Sequence, residues 1–116
     1  MRAAAHNGGV ERLQRFNRLF LIPGLAHDST FSRAGAIDPA TGAATSPDKL
    51  PLPQPASGRD ELFTALRAWV EQGKAPERID IGSRNGSVTM PLCLCPAKAA
   101  HDGHGPVTAA SSYRCR

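Results

Sequence analysis

Apolar positions along the chain gather in three places, and each has its own spacing. From 16 to 22, five of seven residues (Phe16, Leu19, Phe20, Leu21, Ile22) are large and apolar, with no clean alternation. That pattern predicts a strand buried on both faces, as in a parallel sheet covered by helices. Pro23 cannot donate to a sheet ladder and ends the strand, and Gly24 permits a sharp turn. His27 is thereby expected on a loop just past the strand's C-terminal edge. The second cluster is Leu62, Leu66, Trp69 and Val70, spaced i, i+4, i+7, i+8, with Phe63 widening the face. It predicts a helix over 59–73, capped by Ser57 or Asp60 and stopped by Gly73 and Pro76, with Trp69 packed in the core. In the third, Ile79-Asp80-Ile81 and Val88-Thr89-Met90 alternate on either side of Asn85-Gly86, which predicts a two-residue hairpin turn within 78–91.

The remaining stretches have weaker signals. Residues 1–15 form a polar lead-in with at most a turn of helix. Residues 28–58 show no sustained period and hold five prolines, which reads as a long loop that Phe31, Ile37, Leu50 and Leu52 could pin to a surface. Residues 92–116 form a loop-like tail that carries all three cysteines.

Composition changes what these elements can add up to. Leu, Ile, Val and Phe total only 22 of 116 residues, while 18 alanines bury little area and 21 glycines and prolines favour loops. One strong strand and one strong helix cannot fully bury each other's apolar faces. The chain is therefore expected to be part of a larger α/β domain. A net charge of +4 is spread among acids, with one Trp and one Tyr, so no basic stripe with stacking aromatics marks a nucleic-acid partner. No apolar run approaches the roughly 20 residues that span a bilayer, and residues 1–7 lack the apolar stretch of a signal peptide.

Two groups of residues could carry chemistry. His27, at a strand's C-terminal rim, is placed where α/β folds present catalytic groups. The odd cysteine count leaves at least one thiol unpaired or intermolecular. A Cys93–Cys115 bridge would close a loop of about twenty residues, contributing roughly 3 kcal/mol in an oxidising compartment. The rival is a metal site drawn from Cys93, Cys95, His101, His104 and Cys115, although its Cys-x-Cys and His-x-x-His spacings are each one residue shorter than structural zinc sites favour. His6, at a polar terminus, is expected in solvent.

Taken in order, three segments resemble the C-terminal part of the tannase and feruloyl esterase family, α/β-hydrolase-fold serine esterases acting on phenolic-acid esters. They are Arg18-Leu19-Phe20-Leu21-Ile22-Pro23-Gly24-Leu25-Ala26-His27, then Leu66 to Pro76 with its Trp69-Val70-Glu71-Gln72-Gly73-Lys74-Ala75-Pro76 end, then Pro91-Leu92-Cys93 with a terminal Cys115. The resemblance implies a C-terminal fragment of an α/β-hydrolase fold, with last core strand, His loop, packing helix, hairpin and Cys-bearing tail. It implies His27 as the triad base, a Cys93–Cys115 disulfide with Cys95 as the odd thiol, and secretion or periplasmic export. Asp28 stands where the family commonly has a cysteine bonded to one beside the nucleophile. An adjacent residue would have to fold back on its own backbone to reach the imidazole, so Asp28 is unsuited to be the triad acid.

The family's serine elbow, Gly-x-Ser-x-Gly, and its aspartate precede the histidine, and no such elbow occurs in these residues. The calcium-holding lid between serine and histidine is missing as well, so no cofactor is expected on this chain. The expected partners are a small phenolic ester and the N-terminal remainder of the hydrolase domain, and the chain alone is expected to be inactive. The alternative function is a small Cys/His metal-binding or non-catalytic interaction module.

Overall fold

In the computed structural model of the chain, the described residues are 5–22, 51–53 and 61–116. The predicted hairpin forms the centre. Strand β2 (Arg78–Ser83) and strand β3 (Thr89–Cys93) pair antiparallel, with Ile79 opposite Leu92 and Ile81 opposite Met90. A short strand β1 (Pro51–Leu52) pairs antiparallel with the other edge of β2, giving the order β1-β2-β3. Pro91 lies opposite Asp80, between the hydrogen-bonded positions marked by Ser83–Val88 and Glu77–Leu94. Its missing N–H therefore removes no bond to β2.

The turn differs from the expected two-residue loop. Ser83 N–H bonds Val88 O at 2.8 Å, which leaves residues 84–87 as the connection. Asn85 explains the extra length. Its Oδ1 accepts from Ser87 N at 3.0 Å, Ser87 Oγ at 2.7 Å and Ser83 Oγ at 2.9 Å. This side-chain turn competes with the tighter backbone turn, and Gly86 supplies the positive φ of 73° that closes it.

Period-2 side chains divide the sheet into two faces. Ile79, Ile81 and Leu92 form the buried core on one face, with Met90 and Phe20, Ile22, Leu62 and Ala65 packed against it. Leu62 and Ala65 come from the helix. Short helix α1 is Val10–Leu13 in the lead-in, and helix α2 spans Glu61–Gln72. Gly73, at φ 67°, ends α2, and its N–H reaches back to Trp69 O at 3.0 Å. The apolar face of α2 is rotated from the expected one. Leu62, Ala65 and Trp69 are at least half-buried, whereas Phe63, Leu66 and Val70 are exposed.

The opposite face carries Arg78, Asp80 and Cys93 and is covered by the tail. The tail is more ordered than its loop-like sequence suggests. Strand β4 (Ala99–His101) and strand β5 (Tyr113–Cys115) pair antiparallel, and a 3-10 turn (Ala110–Ser112) precedes β5. Polar and covalent links hold it down. Arg78 donates to Tyr113 O at 2.9 Å and to Ala110 O at 2.6 Å, while its other edge grips Asp80. Thr89 Oγ1 accepts from Ala110 N at 2.9 Å. Gly105 has φ +75°, and a Cβ there would stand 2.6 Å from Ser112 Oγ, so the tail closes only around a glycine.

The segment over 16–22 corrects the expectation of a strand buried on both faces in a parallel sheet. Among the described residues only Phe20 pairs, in an isolated antiparallel bridge with Leu94 just past β3. Phe16, Leu19 and Leu21 are 64%, 54% and 66% exposed, while Phe20 and Ile22 are half-buried against the core. The run is apolar enough for two-sided burial, but among the described residues it meets protein on one side only. No strand among them lies along its other edge.

Candidate functional site

His27 lies outside the described residues, and the structure describes the platform that precedes it in the chain, residues 16–22 and their contacts. That platform is built from the three segments whose order marks the chain. Arg18 lies with its guanidinium carbon 5.6 Å from the centroid of the Trp69 ring, and its Nη1 donates to Pro76 O at 2.9 Å. The cation meets the negative face of the indole while its planar fork spends a donor on the backbone just beyond α2. Arg18 Nε is buried with no hydrogen-bond partner.

One residue later the backbone is tied to the end of β3. Cys95 N–H donates to Leu19 O at 2.9 Å, Phe20 bridges Leu94, and Gln14 Nε2 donates to Cys95 O at 2.8 Å. Continuing that antiparallel register sets Ile22 beside Leu92, and Ile22 does pack against the Ile79–Ile81–Leu92 cluster. Residues 18–22 are therefore held by an ion–ring contact, a backbone clamp and apolar packing in succession. Ile22 is the last described residue before Pro23-Gly24, five positions short of His27.

The cysteines resolve into one bridge and one thiol. Cys93 and Cys115 form a disulfide with Cα atoms 5.5 Å apart, and Cys95 is free and half-buried. The bridge removes two thiolates from the metal set considered above. Among the described residues no group of three or more His, Cys, Asp or Glu could hold a metal ion. His101 Nδ1 accepts from Gly103 N–H at 3.0 Å, and its ring meets Tyr113 edge-on, centroids 5.1 Å apart at 86°. His104 and His6 are exposed. The two histidines of the tail, His101 and His104, thus serve its packing and its turns. No helix among the described residues is long and apolar enough to cross a membrane.

The contacts that Arg18 and Arg78 make are not foreseen from the sequence, although Arg18 opens the family motif. Arg18 carried a signal, being the one cation inside a mostly apolar run that ends four residues later at Ile22. Arg78 carried none, since its partners are main-chain carbonyls more than thirty residues away.

Comparison with known proteins agrees with this arrangement. A family model described as tannase and feruloyl esterase matches residues 2–116. An uncharacterized esterase of Xanthomonas campestris pv. campestris is 34% identical over 113 residues, covering 91% of this chain and 18% of its own. Feruloyl esterase B of Aspergillus niger is 32% identical over 118 residues, with 97% and 21% covered. A mono(2-hydroxyethyl) terephthalate hydrolase of Piscinibacter sakaiensis is 29% identical over 106 residues, with 86% and 14% covered. Among solved structures, an esterase from Aspergillus oryzae superposes with a TM-score of 0.66 at 26% identity, covering 99% of this chain and 22% of that one. The chain spans about a fifth or less of the length of the relatives it matches.

Proposed function

Because the chain belongs to the tannase and feruloyl esterase family, we propose that it is the C-terminal portion of a carboxylic ester hydrolase of the α/β-hydrolase type, with His27 as the triad base. The observation that carries this is the family match across residues 2–116, with Arg18, Phe20, Pro23, Gly24 and His27 in the family's order. The clamp on residues 18–22 supports it, because a general base must be held to a fraction of an ångström by the element beneath it.

In the whole enzyme His27 takes the proton of a serine hydroxyl as that oxygen attacks the ester carbonyl. The tetrahedral intermediate collapses, and the same imidazolium protonates the departing alcohol, leaving an acyl-enzyme. Water, deprotonated by His27, then releases the acid and frees the serine. The serine and the acid that orients the imidazole come from outside these 116 residues, so the chain alone turns nothing over. The substrate class is an ester of an aromatic carboxylic acid, since ferulate and terephthalate, named in two relatives, are both of that kind. The Cys93–Cys115 bridge supports a secreted or periplasmic setting, because disulfides persist in oxidising compartments.

The test is a chimera in which this chain replaces the matching fifth of Aspergillus niger feruloyl esterase B. It should hydrolyse methyl ferulate, and His27→Ala should lower kcat by about 10⁴-fold or more with little change in KM. Turnover by the 116-residue chain alone, abolished by His27→Ala, would overturn the proposal, as would a fully active His27→Ala chimera.

A further inference from the structure

The turn between β2 and β3 carries a motif that turn geometry alone does not explain. Asn85-Gly86-Ser87 is an asparagine with a hydroxyl two residues on, the acceptor pattern for an N-linked glycan. Of the three asparagines in the chain it is the one so placed, since Asn7 precedes Gly8-Gly9 and Asn17 precedes Arg18-Leu19. Residues 84–87 are all exposed at the hairpin tip. Ser83, at the base of the turn, is fully buried, and its Oγ donates to Asn85 Oδ1 at 2.9 Å while accepting from Val88 N–H at 3.0 Å. Ser87 gives the same oxygen its N–H at 3.0 Å and its hydroxyl at 2.7 Å. A main-chain N–H can only donate, so the atom facing Ser87 is the carboxamide oxygen, and Nδ2 occupies the other arm of the group. These bonds use Oδ1 alone. An aspartate would close the same turn. What asparagine adds is the Nδ2 amide, presented on an exposed tip.

We propose that Asn85 is an acceptor for N-linked glycosylation, and that the donor is an oligosaccharide carried on a lipid pyrophosphate. Nδ2 attacks the anomeric carbon of the donor. The bond from Nδ2 to that carbon forms as the carbon–oxygen bond to the pyrophosphate breaks. The pyrophosphate leaves with the electron pair, and Nδ2 gives up one proton. The three donors on Oδ1 draw electron density toward the oxygen and ease the loss of that proton. Because only Nδ2 is substituted, the glycosylated side chain keeps Oδ1 for Ser83 and Ser87, and the turn persists. The Cys93–Cys115 bridge points to the same compartment, since disulfides form on exported chains. The inference rests on the secreted setting proposed above and is independent of the esterase chemistry.

The experiment sends the full 116-residue chain through the secretory pathway of a fungal host behind a cleavable leader and recovers it from cells and medium together. Retention of a poorly folding chain then does not bias the reading. The unsubstituted chain should gain one glycan. An amidase that releases N-linked glycans, applied in heavy-oxygen water, should remove it and leave an oxygen-labelled aspartate at position 85. Ser87→Thr, which keeps the hydroxyl, should be glycosylated like the parent. Asn85→Gln and Ser87→Ala should each abolish the added mass. In the glycosylated chain the Val88 amide, bonded to Ser83 Oγ, should exchange as slowly as in the unmodified chain. A parent chain without sugar, sugar that persists in Asn85→Gln, or faster exchange at Val88 after glycosylation would each overturn the inference. An inactive chimera would overturn the esterase reading and leave this outcome untouched, because the leader supplies export and the readout is mass.

Discussion

The two faces of the central sheet are finished differently. On the tail side, closure is polar and covalent: Arg78 spans to Ala110 and Tyr113, Thr89 accepts from Ala110, and Cys93 is bonded to Cys115. On the helix side, closure is apolar and one-sided. Three core residues, Ile79, Ile81 and Leu92, are covered by Leu62, Ala65, Phe20 and Ile22. The elements providing that cover still turn Phe16, Leu19, Leu21, Phe63, Leu66 and Val70 outward. Hydrogen bonds and a crosslink complete a structure between a few named atoms. Apolar burial needs area, and an element rich in apolar area stays unsatisfied until every side of it is covered. The tail is thus closed by its own bonds, whereas α2 and residues 16–22 have the composition of an interior with only part of that interior present among the described residues.

The largest effect that would break this contrast lies in the small core itself. Leu92→Ala removes a side chain only 3% exposed from a cluster of three, and should cost about 2–5 kcal/mol. Chemical denaturation would measure it. A loss under about 1 kcal/mol would mean that the helix side contributes little and that the tail holds the sheet unaided. Next comes Cys115→Ser. Opening a crosslink between residues 22 apart should cost about 3 kcal/mol, and faster exchange should follow in β4 and β5 while α2 keeps its protection. Equal loosening of α2 would show the two faces to be one cooperative unit.

How much of this was legible in the sequence depended on what holds each part. The hairpin was readable because Ile79, Ile81 and Met90 alternate, yet its turn was not, since Asn85 binds two serine hydroxyls and a main-chain N–H rather than simply passing the chain along. The extent of α2 shows in its period and its terminal Gly73, but its buried face does not. An apolar stripe wider than one contact does not say which half meets the sheet present and which half awaits another. The same ambiguity produced the expectation of two-sided burial for residues 16–22. Strands β4 and β5, held by main-chain pairing and a disulfide, leave almost no apolar signature in Ala99-Ala100-His101 or Tyr113-Arg114-Cys115. As for the candidate site, the order Arg18 to His27 can be read, but the contact of Arg18 with Trp69 and Pro76 cannot, because it joins residues more than fifty positions apart.

Arg78→Met tests the polar closure at smaller scale. It keeps the aliphatic stem and deletes the donors to Ala110 O and Tyr113 O, so that Ala110 O retains its bond from Tyr113 N–H while Tyr113 O loses its Arg78 donor. The expected cost is about 1–3 kcal/mol. Asp80→Asn, which touches only the exposed side of the same guanidinium, should cost less than 1 kcal/mol. If Asp80→Asn proved the costlier change, the tail would be held by charge pairing at the sheet surface rather than by bonds to its own backbone.

The finest distinction concerns Arg18, where the apolar side borrows a polar device. Arg18→Lys keeps the charge over Trp69 and loses the planar fork that stacks on the ring while donating to Pro76 O. A stability loss of about 0.5–1 kcal/mol is expected, close to the value of a part-exposed cation–ring contact. Its location matters more than its size. Hydrogen exchange should quicken at Cys95, whose N–H donates to Leu19 O one residue beyond the substitution, while Lys98 and Arg116, paired in the tail, keep their protection. In the chimera the same change should lower kcat severalfold with KM nearly unchanged, because the segment leading to His27 has lost an anchor and the ester-binding surface has not. Unchanged exchange at Cys95 together with an unchanged kcat would show that the backbone clamp at Leu19 and Phe20 suffices without Arg18.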